Sequence, residues 1–294
     1  MFMRLFLLVK IFGIVTPEEN SGTSVKAGQE HSPYTVSIHN TVAGNDIEKV
    51  CTGFFIGPNW VITAAHCFDG DEIHKTLIKY SISDYSFNTT TTALATKIII
   101  HPEYYNKSLI NDLALVSVRL VPEHVKLVSF LVVDLYGITW NRHYKEKRKC
   151  ITVGFDQVNY QNTLLQVRKL YIRNDPNACG CFATNSDLLC GTARSNESDL
   201  CFDNFGGPLV CRETAVGVAN RLLQCGHQEK GTCDNETYYR FTNLCAYFQW
   251  ISGFVDSFPS ECLGYKQGLL SSSTYRGIPT IDIIVVFILI TSIL

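Results

Sequence analysis

The stretch Thr63-Ala64-Ala65-His66-Cys67 ends a β-rich run at residues 60–63 and sets a histidine beside a cysteine. Two later stretches add to it: Asn111-Asp112-Leu113-Ala114-Leu115, and Cys201-Phe202-Asp203-Asn204-Phe205-Gly206-Gly207-Pro208. An imidazole base and an orienting carboxylate are two of the four parts that acyl transfer needs. The others are a hydroxyl or thiol nucleophile within reach of the base and amide donors facing the developing oxyanion. The third stretch carries no serine, and the benzyl side chain of Phe205 has nothing to attack with.

Outward from these stretches the chain is a succession of short β-rich runs, at residues 34–39, 50–56, 60–63, 76–82, 95–100 and 113–119. A polar, basic stretch at 141–149 precedes a second series at 151–155, 164–172, 208–211, 216–220 and 238–242. Val, Ile, Thr and aromatic residues dominate, and they fit a pleated, half-buried surface. Many short strands without long helical patterns point to an all-β barrel or sandwich, and composition alone does not choose between the two. One helix is expected over 243–256, where Leu244, Tyr247, Phe248, Ile251 and Val255 recur at spacings of three and four. The run 145–149 reads as a solvated loop.

The chain has 294 residues, a formal net charge of -2 and only 18% charged residues. It has no basic stripe of the kind that neutralises phosphates, so a nucleic-acid partner is not expected. Twelve cysteines suit an oxidising compartment. Residues 1–15 pair an early positive charge with an apolar run and read as a secretory signal peptide, with Lys10 an irregularity inside it. Residues 16–24 form a polar lead-in. Asn-x-Ser/Thr sequons at Asn88, Asn106, Asn196 and Asn235 lie in polar stretches, where secretion would make them glycan acceptors.

From about Val25 to Asp256 the chain resembles the trypsin-like serine protease family. Residues 63–67 are similar to that family's histidine block and 111–115 to its aspartate block, while 201–208 resemble the segment that carries its nucleophile. The resemblance implies two six-stranded antiparallel β-barrels, with His66 and Asp112 on the first and the Phe205 loop on the second, closed by a C-terminal helix. It also implies bridges Cys51–Cys67, Cys150–Cys211 and Cys201–Cys225, with Cys190 joined to Cys179 or Cys181. The remaining cysteines, with Cys233, Cys245 and Cys262 among them, keep an open connectivity. No metal or cofactor is implied.

The departures from the family pattern are concentrated at the chemistry. The family's Gly-Asp-Ser-Gly-Gly-Pro reads here with Asp203 at the first glycine, Asn204 at the aspartate and Phe205 at the nucleophile. A side chain at 203 opposes the backbone that glycine permits and sets a negative charge near the oxyanion site. Asn204 accepts a hydrogen bond but forms no ion pair with the new N-terminus that activation creates in the family. The family's Ile-Val-Gly-Gly is matched only by Val25-Lys26-Ala27-Gly28, and no Lys or Arg lies between Thr16 and Ser24. A buried ammonium without a counter-charge is costly, so the chain is expected to work uncleaved.

Asp199 falls where trypsin recognises Lys or Arg. Asn220-Arg221-Leu222 replaces the usual Ser-Trp-Gly, and Tyr239 stands at a small pocket-wall position. Leu222 and Tyr239 are expected to narrow the cleft, and Arg221 to offset Asp199.

Residues 257–282 read as a linker and 283–294 as a hydrophobic tail. A twelve-residue helix reaches only about 18 Å, short of the roughly 30 Å hydrocarbon core. The small residues at 271–273, a spacer and the tail resemble a GPI-attachment signal, with a membrane-inserted tail or a buried segment as alternatives. The expected function is a catalytically inactive protease homologue, outside the cell or held at its surface, that binds or regulates a protein partner. The alternative is a serine endopeptidase whose nucleophile is displaced, for instance to Ser195 or Ser198.

Overall fold

Along Leu165–Arg173 the residues Arg168, Leu170 and Ile172 are buried while their neighbours are not, the period of two that sets one face of a strand against a core. Thirteen strands are present among the described residues, and some, such as Pro208–Cys211, are buried on both faces. The computed structural model describes residues 25–26, 31, 33–42, 48–70, 73–81, 90–126, 128–131, 147–155, 165–193, 205–225, 237–256 and 258.

Strands β2 (Thr35–Val42), β3 (Glu48–Gly57), β4 (Trp60–Thr63), β5 (Ile73–Ser81), β6 (Thr90–Ile100) and β7 (Ala114–Val118) close into a barrel in the order β2-β3-β4-β7-β6-β5. A second ring is made by β8 (Arg148–Phe155), β9 (Leu165–Arg173), β10 (Leu188–Ala193), β13 (Thr237–Asn243), β12 (Thr214–Gln224) and β11 (Pro208–Cys211), closed by the β8–β9 pairing. The short β1 (Val25–Lys26) is laid antiparallel on β9, Val25 opposite Val167. All pairings are antiparallel, so the fold is the pair of six-stranded barrels that the resemblance implied.

Buried residues of the first barrel, among them Phe54, Phe55, Ile62, Ile78 and Leu115, belong to one hydrophobic cluster. That cluster also takes in Val210 and Val218 from the second barrel and Leu244, Phe248 and Ile251 from the C-terminal segment. Burying each such side chain is worth about 1.5–3 kcal/mol as an upper estimate. The C-terminal helix is shorter than periodicity suggested: a 3-10 turn at Leu244–Tyr247 leads into α2 (Phe248–Ser252). Among the described residues a further helix, α1, is a single turn at Pro122–Val125.

Disulfides join Cys51–Cys67, Cys150–Cys211, Cys179–Cys190 and Cys181–Cys225. The last corrects the expected Cys201–Cys225 bridge. Gly180, at φ +64°, turns the chain between two cysteines. Cys179 then faces β10, and Cys181 reaches the end of β12 with Cα atoms 5.9 Å apart, well within bonding range. Cys245 is disulfide-bonded as well. Cys201, Cys233 and Cys262 lie outside the described residues, as do residues 1–15, 16–24 and the linker and tail from 259 on. Among the described residues no helix is long and apolar enough to cross a membrane.

Candidate functional site

The two barrels meet at Thr52 of β3. Its amide donates to the Phe205 carbonyl at 2.9 Å, its hydroxyl accepts from the Phe155 amide at 3.0 Å, and its carbonyl accepts from the Thr63 hydroxyl at 2.7 Å. This seam fixes the end of β4 and the turn at Phe205 against each other. Gly206, next in that turn, has φ +81°, and a Cβ there would run into the Thr63 hydroxyl and the Thr52 carbonyl. Only glycine fits so close a backbone approach.

His66 sits in a 3-10 turn at Ala65–Phe68 directly after β4. The Cys51–Cys67 bridge ties that turn down, and so does a bond from the Asn40 amide to the Cys67 carbonyl at 2.8 Å. Lys49 adds a third hold by donating to the His66 carbonyl at 2.6 Å. Burial pushes the Lys49 ammonium below its ordinary range, against the opposing pull of Asp69 and Asp112. Tyr104 donates to the Asp69 carboxylate at 2.5 Å, and burial followed by that bond raises its phenol far above the usual range.

Asp112 follows Asn111, a non-glycine residue at φ +53°, and is fully buried. Its carboxylate accepts the His66 backbone amide at 2.8 Å, His66 Nδ1 at 2.7 Å and the Asn220 side-chain amide at 2.9 Å. A carboxylate only accepts, so Nδ1 donates in that bond. Among the described residues the buried His66 Nε2 has no hydrogen-bond partner. The Phe205 ring stands against the imidazole with centroids 4.8 Å apart and planes 88° apart, an edge-to-face contact. Where acyl transfer needs a hydroxyl, the base meets an aromatic ring.

Asn220 is a bulge residue, since the β12–β13 register shifts between Ala219 and Arg221. The bulge aims its amide at Asp112. Its own carbonyl oxygen accepts from Arg240 Nε at 2.8 Å, and Arg240 also donates to the Ser108 carbonyl at 3.1 Å. Burial, helped by the neighbouring charge of Arg221 and opposed by Asp112, lowers the Arg240 guanidinium to about 10. Arg221 is half-buried.

Leu222 pairs with Tyr239 across the ladder and packs against the apolar interior of the second barrel. Tyr239 is buried in that interior beside Ala219 and Phe241. Its hydroxyl accepts from the buried Arg168 at 2.6 Å, and the guanidinium also lies 5.6 Å from the ring centroid.

The structure thus brings His66, Asp112, Phe205 and Asn220 together at the seam. Asp199, Asp203 and Asn204 lie outside the described residues, as do the sequons at Asn88, Asn196 and Asn235; Asn106 is exposed in a turn. Sequence reasoning missed Arg168 and Arg240. For Arg168 a signal existed, because it shares strand parity with Leu170 and Ile172. For Arg240 none did, since its partner is presented only by a bulge.

A family model described as Trypsin matches residues 20–251. The chain is similar to granzyme B of Rattus norvegicus, 26% identical over 264 residues that span 85% of this chain and 97% of that protein. It is similar also to mast cell protease 3 of Ovis aries, 26% identical over 270 residues, 88% of this chain and 99% of the relative. Among solved structures it resembles HL collagenase with a TM-score of 0.60 at 20% identity, covering 80% of this chain and 96% of the other, a likeness of fold.

Proposed function

The chain belongs to the trypsin family, and we propose that in this member the fold serves as a catalytically inactive, extracellular module that binds or regulates a protein partner. The observation that carries the reading is the contact between Phe205 and His66. Among the described residues, a base whose second ring nitrogen is buried against a phenyl ring meets no hydroxyl or thiol to activate. Asp203 and Asn204, at the positions of the family's oxyanion glycine and activation aspartate, support the same reading from sequence. Granzyme B and mast cell protease 3 match this chain across nearly their whole length, which supports a kept scaffold, and the sequence sets Phe205 where the family carries its nucleophile. Four disulfides among the described residues support an oxidising, extracellular setting.

The test is covalent labelling of the purified protein with a fluorophosphonate, paired with cleavage of a broad peptide library. No labelling and no cleavage are expected. Labelling or cleavage that disappears in His66→Ala would reveal a displaced nucleophile and overturn the reading.

A further inference from the structure

We propose that a cationic cavity on the outer face of the second barrel binds an acidic peptide segment with apolar anchors, presented by a protein partner; this rests on the reading of the chain as a binding module. The cavity holds about 320 Å³ and is lined by β8, β9, β11 and the turn after β11. Strand register explains the convergence. Ile151 of β8 lies opposite both Lys169 of β9 and Val210 of β11. Lys149 is two residues from Ile151, on the same face, and Arg212 is two residues beyond Val210. Three cations therefore gather over a floor of Ile151 and Val210, the apolar side chains that share their face of the sheet.

All three cationic side chains are exposed, and none makes an ion pair or side-chain hydrogen bond with another described residue. Among the described residues of the lining Glu213 is the only acid, and His31 also borders the cavity. Like charges held close repel unless an anion joins them.

The turn supplies a second, independent observation. Arg212 and Glu213 form a two-residue hairpin loop between Cys211 and Thr214, at φ +52° and +66°. A loop with both residues left-handed is the place for Asn-Gly, and long L side chains are strained there. Strain retained at a turn that glycine would relax points to work done by the side chain, here the Arg212 guanidinium over the cavity.

Apolar side chains in the floor favour a peptide over a sulfated glycan, whose hydroxyls and sulfates would leave that floor without a partner. An extended peptide presents alternate side chains to one face, so acids and apolar residues can meet rim and floor together. The site is also distinct from the cleft: six residues, 206–211, separate Arg212 from Phe205, and the described lining includes none of His66, Asp112, Phe205 and Asn220.

The experiment uses the full-length protein and a fluorescent peptide of alternating glutamate and leucine. An all-glutamate peptide, a lysine–leucine peptide and a heparin octasaccharide serve as comparisons. The alternating acidic peptide is expected to bind best and to weaken as salt rises from about 50 to about 300 mM. The combined Lys149→Gln, Lys169→Gln and Arg212→Gln variant should lose roughly tenfold or more in affinity, with an unchanged circular dichroism spectrum. No peptide binding, equal affinity of variant and wild type, equal binding of the all-glutamate peptide, or binding of heparin in place of the peptide would each overturn the site. Peptide failure in a protein that resists the fluorophosphonate removes this site and leaves the module reading standing. Labelling that depends on His66 removes the module reading whatever the peptide does.

Discussion

If Asp112 now serves structure, Asp112→Ala must cost stability, and the contacts set how much. The carboxylate accepts three N–H groups at 2.7–2.9 Å in a site with no solvent exposure. Bonds to a charged group are worth about 1.5–3 kcal/mol each, which brackets the gross loss at roughly 5–9 kcal/mol. Several kcal/mol return because the variant no longer buries a charge. The Asn220 amide also keeps the Leu109 carbonyl at 3.2 Å and the Thr242 hydroxyl at 3.4 Å. The His66 amide keeps nothing. A net loss of about 3–5 kcal/mol follows, near 10 °C in Tm for a domain of this size. Urea unfolding with the disulfides intact measures it, and an unchanged m-value certifies that the change is one of stability. Residues kept for chemistry often relax the fold when removed. A loss below about 0.5 kcal/mol, or a gain, would therefore refute the structural assignment of the His66–Asp112 pair.

Phe205→Ser should give negligible peptidase activity, because serine supplies an oxygen but not the oxyanion geometry, where one lost donor costs about a hundred- to thousand-fold; robust turnover of a peptide library would show that Asp203 and Asn204 are harmless. Tyr239→Phe should destabilise the second barrel by about 1–3 kcal/mol, since the buried Arg168 loses an acceptor at 2.6 Å; a denaturation midpoint at the wild-type value would count against that bond. Asp175 is held below the usual carboxylate range, first by the hydrogen bonds from Arg173. A depressed folded pKa contributes stability above the unfolded value of about 3.9 that is lost as pH falls through the folded one. The stability gap between wild type and Asp175→Asn should thus narrow on acidification below about pH 4, and a gap that widens would reverse the sign.

The strands were legible as β-branched and aromatic runs, whereas composition left barrel and sandwich open and the pair of barrels came from the resemblance carried by residues 63–67, 111–115 and 201–208. The helix was overread: the apolar spacing at 244–255 is real, but its first turn closes as 3-10 and only Phe248–Ser252 is α-helical. Local periodicity reports a buried face, not the hydrogen-bond pattern that builds it. Cys225 was misassigned for a different reason. Bridging depends on the approach of two Cα atoms, and a single left-handed glycine between Cys179 and Cys181 sends them to different strands. The contact of Phe205 with His66 could be foreseen, because a bulky ring at a position beside the base has little other space. The Asn220–Arg240 pair could not, since a bulge shifts parity on one strand without marking the sequence.

That pair changes what the remaining residues are for. His66 and Asp112 come from the first barrel, while Asn220 and Arg240 come from β12 and β13 of the second, and one chain of hydrogen bonds runs through all four. In an acyl-transfer site the imidazole must gain and release a proton, so the carboxylate answers to a charge that comes and goes. Here the Asp112 charge is met through Asn220 by Arg240, whose guanidinium stays ionised at neutral pH even when lowered to about 10. The compensation is permanent and spans the seam. Phe205 fills the space beside the base on the same seam, with its carbonyl bonded to Thr52 of the first barrel. His66, Asp112, Asn220 and Phe205 thereby fasten one barrel to the other. Strand β11 then leads from that fastened turn to Arg212, so the outer cavity stands on a fixed base whether or not the cleft is ever occupied.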